Sequence, residues 1–97
     1  MTKEAVCAGV DVAKNTLDVA VSSSEGIRQF ANDHEGITNA VRYIAGLKTA
    51  RIIIEATGGL EMPLVTALQA DRLPVVVINP RQVRDFARAI GILASSW

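Results

Sequence analysis

The rhythm of apolar and polar positions changes midway along the chain. From Ala5 to Val12 the run AVCAGVDV is apolar except for one carboxylate, which predicts a buried strand. Lys14-Asn15 makes a tight turn. Thr16 to Val21 then alternates, with Leu17, Val19 and Val21 on one face and Asp18 and Ala20 on the other. SSSEG at 22–26 is a second turn, and Ile27 to Ala31 a third short strand, so the chain opens as an antiparallel meander. Asn32 or Asp33 caps a helix from Glu35 to Leu47, with Ile37, Val41, Ile44 and Leu47 at helical spacing.

Beyond that helix the pattern is different. Ile52-Ile53-Ile54, led by Arg51, and Val75-Val76-Val77-Ile78 are continuous apolar runs, the mark of strands covered on both faces. Between them Leu60 to Asp71 reads as a helix whose stripe is Leu60, Leu64, Ala67 and Leu68. Asn79-Pro80 starts a last helix, with an Asn cap, Pro at the first position, and Val83, Phe86, Ala87 and Ile90 inward. The order βββ-α-β-α-β-α predicts an α/β fold, a mixed five-stranded sheet with helices on its faces. It is the strand order of the ribonuclease H-like fold.

Composition narrows the possible functions. At 97 residues the chain holds one small domain, with 49% hydrophobic and 21% charged residues, which is globular rather than disordered. Ten basic and ten acidic residues cancel, so no global field draws in nucleic acid or membrane. The distribution is uneven. Residues 1–74 carry seven basic and nine acidic groups, whereas 75–97 carry Arg81, Arg84 and Arg88 against Asp85 alone. Polyanion contact is therefore expected near the C-terminal end. Cys7 has no partner for an internal disulfide, and with the single His34 it builds no metal cluster. Cys7 is expected to pack in the first strand and His34 to lie in a surface loop. The N-terminal residues resemble neither a signal peptide nor an anchor, so the expected compartment is the cytoplasm, with no membrane association.

Two carboxylates stand out. Asp11 interrupts an apolar strand, and Glu55 directly follows Ile52-Ile53-Ile54. In the expected fold their strands are parallel neighbours, and both side chains emerge at the carboxyl ends, where open α/β sheets hold their sites. Two hard anionic oxygens there suit a divalent cation such as Mg²⁺ and the phosphoryl transfer it supports. Each also has a plainer reading: Asp11 as a turn residue paired with Lys14, and Glu55 as an acceptor for the Gly58-Gly59 turn. Thr57-Gly58-Gly59 joins strand to helix, so Thr57 and Gly58 are candidates to meet a phosphate through backbone N–H groups. The alternative is a tight turn that needs small residues. Arg81, Arg84 and Arg88 recur at i, i+3 and i+7, forming either a phosphate-neutralising stripe or a solvated helix face. Asp85 falls between Arg81 and Arg88 and reads as an exposed ion pair. Asp18 is expected to face solvent at the sheet edge.

Three ordered segments carry a family resemblance: GVDVAKNTLDVAV at 9–21, IIIEATGGLEMPLVTAL at 52–68 and VVVINPRQVRDFARAIGILA at 75–94. They resemble the N-terminal domain of DEDD transposases, the class of the Piv invertase and related insertion-sequence recombinases, itself similar to the RuvC resolvase. The resemblance implies a Mg²⁺-dependent DNA recombinase domain with four acidic residues, of which Asp11 matches the first and Glu55 the second. It also implies DNA, a guide-like RNA and a homo-oligomer or full-length transposase as partners. In the family the stretch after GILA continues into the segment bearing the last two aspartates, and a further domain carries a serine. Here that stretch reads Ser95-Ser96-Trp97, so residues 1–97 are expected to form a single, C-terminally incomplete domain, inactive alone. Two rival classes are a non-catalytic DNA-binding or assembly module and an actin-like or sugar-kinase phosphate-binding half. Against the latter, the first hairpin turn is Ala13-Lys14-Asn15 rather than a glycine- and threonine-rich nucleotide loop.

Overall fold

A computed structural model describes residues 5–79. Three strands, β1 (Cys7–Val12), β2 (Thr16–Val21) and β3 (Ile27–Ala31), lead into α1 (His34–Gly46). The chain continues through β4 (Arg51–Glu55) and α2 (Met62–Ala70) to β5 (Val75–Ile78). The strands form one sheet in the order β3-β2-β1-β4-β5. β2 is antiparallel to both neighbours, whereas β1 with β4 and β4 with β5 are parallel pairs. This is the mixed five-stranded sheet that the strand pattern predicts.

The two crossovers, β3-α1-β4 and β4-α2-β5, advance in the same direction along the sheet. Right-handed connections then put both helices on one face. The core follows from that placement. Ala8, Val10 and Val12 of β1, Leu17, Val19 and Val21 of β2, and Ile52 and Ile54 of β4 are buried in one cluster with Ile37, Ala40 and Ile44 of α1 and Leu64, Val65 and Leu68 of α2. Because strand side chains alternate, the intervening residues Gly9, Asp11, Asp18, Ala20, Ile53 and Glu55 all belong to the opposite face.

Local chemistry fixes the joints. The Asp33 carboxylate caps α1 by accepting from the Gly36 N–H at 2.7 Å. Asn32, the other cap candidate, instead donates from its side chain to the Ala13 carbonyl at 2.8 Å, tying the entry of α1 to the first hairpin. Gly36 is required by a close approach: a Cβ there would overlap the Ala31 carbonyl.

Several expectations need correction. α2 begins at Met62, and Leu60 lies in the preceding turn, 42% exposed, while Val65 takes its place in the buried stripe. The cause is the double glycine, whose positive φ values (72° at Gly58, 106° at Gly59) hold the chain out of the helix until Glu61. Asp18 is not at the sheet edge, because β3 pairs outside β2, and it is half-buried. Strands β4 and β5 do not show coverage on both faces among the described residues: Ile53 is half-buried, and Val76 and Val77 are exposed. The helix expected from Asn79-Pro80 lies outside the described residues. No described helix is long and apolar enough to cross a membrane.

Candidate functional site

Parallel pairing of β1 and β4 sets Val10 beside Ile54. One residue further along each strand come Asp11 and Glu55, at the carboxyl ends of neighbouring strands that lie about 4.8 Å apart. Both follow a core residue, Val10 or Ile54, so both point away from the helices, and both are exposed. On the other side of β1, antiparallel pairing places Asp18 directly opposite Asp11. Asp11, Asp18 and Glu55 line one open cavity of about 400 Å³ with Gly9, Ala20 and Ile53. Gly9 meets nothing within 4 Å of where a Cβ would stand, so the sheet is shallow beside the carboxylates.

The two candidate ligands are without internal partners among the described residues. Among the described residues, neither the Asp11 nor the Glu55 side chain makes a hydrogen bond or ion pair, so the alternative pairing of Asp11 with Lys14 is not formed. Asp18 differs, since its Oδ1 accepts from Gln29 Nε2 at 2.9 Å. Hard carboxylate oxygens without a competing donor or cation suit Mg²⁺. As donors, Asp11 and Glu55 fit two positions of such a site. They do not complete it: among the described residues no three His, Cys, Asp or Glu side chains are grouped so as to hold a metal ion.

In the turn after β4, three donors already have an internal acceptor. The N–H of Thr57 (3.0 Å), the hydroxyl of Thr57 (3.1 Å) and the N–H of Gly59 (3.0 Å) all donate to Oε1 of Glu61. Glu61 is 6% exposed. The Thr57 N–H first, then the N–H of Glu61 itself, hold its carboxyl below the ordinary value of 4.5. Burial opposes the shift, and the Gly59 N–H and Thr57 hydroxyl add to it. At Thr57 an internal carboxylate thus accepts both the N–H and the hydroxyl, the groups that a phosphate contact there would use. It also takes the acceptor role that the plainer reading gave to Glu55. Glu61 does not stand out in the sequence, because the Thr57 and Gly59 donors reach it only through two glycines at positive φ.

A larger cavity, about 560 Å³, opens on the helix side between the starts of α1 and α2, bounded by Lys14, His34, Ile37, Leu60 and Pro63. It holds none of the sheet-face carboxylates. Arg81, Arg84 and Arg88, with Asp85, lie outside the described residues.

Comparison with known proteins agrees with this architecture. The pilin gene-inverting protein of Moraxella lacunata is 28% identical over 90 residues, covering 87% of this chain. The chain spans 28% of the length of that relative. Among solved structures, RuvC of T. thermophilus in complex with a Holliday junction substrate superposes with a TM-score of 0.62 at 12% identity, over 84% of this chain and 69% of that one. A second Thermus thermophilus RuvC structure gives 0.54 at 15% identity, over 81% and 64%. At such identities the likeness is one of fold, and it makes the sheet RuvC-like. The profile of the IS110-type DEDD transposases, described as transposase, matches residues 8–92. With nearly its whole length matched and the fold to go with it, the chain belongs to the IS110-type DEDD transposase family.

Proposed function

We propose that this chain supplies Asp11 and Glu55 as the first two acidic ligands of a Mg²⁺ site for phosphodiester chemistry on DNA in an intact transposase or site-specific recombinase. The observation that carries the reading is their position: consecutive with a paired register, on adjacent parallel strands, on the face without α1 and α2. A divalent cation at such a site neutralises phosphate charge and lowers the pKa of an attacking hydroxyl or water. The protein's own part is electrostatic. Three carboxylates on one face, with Gln29 as the sole side-chain hydrogen-bond donor to any of them among the described residues, repel a phosphate backbone until a cation is present. DNA engagement at this face is therefore cation-dependent. Among the described residues no third ligand completes the site, and the 97-residue chain is expected to be inactive on plasmid or junction DNA.

Calorimetric titration with Mg²⁺ tests the ligand assignment. The wild-type chain binds, and Asp11→Asn and Glu55→Gln each weaken binding by about tenfold or more. Equal affinity in all three proteins removes Asp11 and Glu55 from the site. DNA is held in part by Arg81, Arg84 and Arg88. Replacing all three with Ala reduces the slope of log affinity against log salt by about 2.7 for duplex DNA. An unchanged slope means that these arginines meet no phosphate.

A second reading, a non-catalytic assembly module, draws on the exposed apolar residues at the two edges of the sheet: Ile27 on β3 is 69% exposed and Val76 on β5 is 41% exposed. Light scattering decides it, because a strict monomer at all concentrations excludes self-association. A guide-like RNA partner belongs to the same proposal as the DNA chemistry, and an added RNA that raises DNA affinity is its test.

A further inference from the structure

We propose that Glu61 is a positioning residue for Glu55, an assignment that rests on the metal-site reading above. β4 ends at Glu55, and sheet pairing reaches only one residue further, where the Ala56 N–H donates to the Ile78 carbonyl at 2.8 Å. Beyond that point the chain swings through Gly58 and Gly59, both at positive φ, before entering α2. Such a turn has no sheet partner to hold it. Glu61 holds it from inside, gathering three donors from Thr57 and Gly59 on a single oxygen.

Glu61 is itself anchored. Its carbonyl accepts from the Val65 N–H at 2.9 Å, and α2 is fixed to the core by Leu64, Val65 and Leu68. Restraint therefore runs from the core through α2 to Glu61, from Glu61 to Thr57, and from Thr57 to the strand end two residues back. Glu55 has no side-chain partner of its own among the described residues, so its direction depends on the backbone that carries it. A carboxylate suits this role because it only accepts hydrogen bonds. A glutamine amide turns an N–H₂ donor towards N–H donors or offers a weaker neutral oxygen.

The test measures Mn²⁺ affinity of the 97-residue chain by water-proton relaxation, together with amide exchange at Thr57 and Gly59. Glu61→Gln is expected to weaken Mn²⁺ binding by about tenfold, as loss of an outer-shell partner does, and to speed exchange at both amides. Thr57→Ala, which deletes only the hydroxyl donor, gives a smaller loss and serves if the first variant fails to fold. Ile44→Val lowers stability through the core at α1 and is expected to leave Mn²⁺ affinity unchanged. Wild-type affinity in Glu61→Gln, with Asp11→Asn abolishing binding, overturns the positioning role alone. The same loss in Ile44→Val as in Glu61→Gln also overturns it, because stability then explains the effect. No Mn²⁺ binding by the wild-type chain overturns the metal reading and this assignment with it.

Discussion

Glu61 shows how much one side chain contributes in a turn that short-range rules read differently. Hydrogen bonds from the Thr57 N–H first, then its own N–H, with a smaller part from Gly59, hold its carboxyl below the ordinary carboxylate value in the folded chain. A lowered folded value means that the unfolded chain takes up the proton first as pH falls. The stabilisation is complete above the ordinary carboxyl value and is lost as pH drops through the folded one. Urea midpoints measured between about pH 6 and about pH 3 should therefore fall less steeply for Glu61→Gln than for wild type. Parallel acid limbs would show that Glu61 is not held as described. Asp18 makes a second prediction at this scale. It stands opposite Asp11 with like charge, an arrangement that costs about 0.2–1 kcal/mol in sheets, towards the low end here because Asp11 is exposed. Asp18→Asn keeps an oxygen for Gln29 and should raise the metal-free urea midpoint slightly; a lowered midpoint contradicts the repulsion. Asp11 and Glu55 were legible in the sequence because a carboxylate in or after an apolar run is conspicuous. Glu61 was not, because its donors, the Thr57 and Gly59 N–H groups and the Thr57 hydroxyl, come together only in the glycine turn.

At the scale of elements, α1 depends on two contacts at its start. Asp33 caps it, and Gly36 lets its first turn pass against the end of β3. Helix propensity alone favours Ala over Gly by about 1 kcal/mol. A Cβ at Gly36, however, runs into the Ala31 carbonyl, which belongs to a paired strand and yields only if the sheet moves. Overlap should win, and Gly36→Ala should destabilise by about 1–3 kcal/mol in urea unfolding. A gain in stability would mean that α1 sits further from β3. The periodicity of α1 was readable, and its limits differ from the prediction by one residue at each end, His34–Gly46 against 35–47. The start of α2 was less readable, since Leu60 matches the helical stripe by spacing while the glycines before it keep it outside the helix.

For the whole molecule, sheet order does the positioning. The meander leaves one side of β1 open, and a crossover returns β4 there in parallel, so residues 44 positions apart in sequence end beside each other. Alternation in the meander and unbroken apolar runs afterwards made that order legible. Those same runs suggested cover on both faces, which α1 and α2 do not provide, because continuous hydrophobicity in β5 also suits an edge strand with exposed valines. The proposed cation site joins Asp11 and Glu55 on the face opposite these helices. Paramagnetic broadening by substoichiometric Mn²⁺ in the amide spectrum of the chain tests it most directly. Signals of Asp11, Glu55 and their strand neighbours should broaden first, those of Ile44 and Leu68 in the helices last, and Asp11→Asn should remove the effect. Broadening centred on other carboxylates such as Glu25, Glu35 or Asp71, or unaltered by Asp11→Asn, would contradict it.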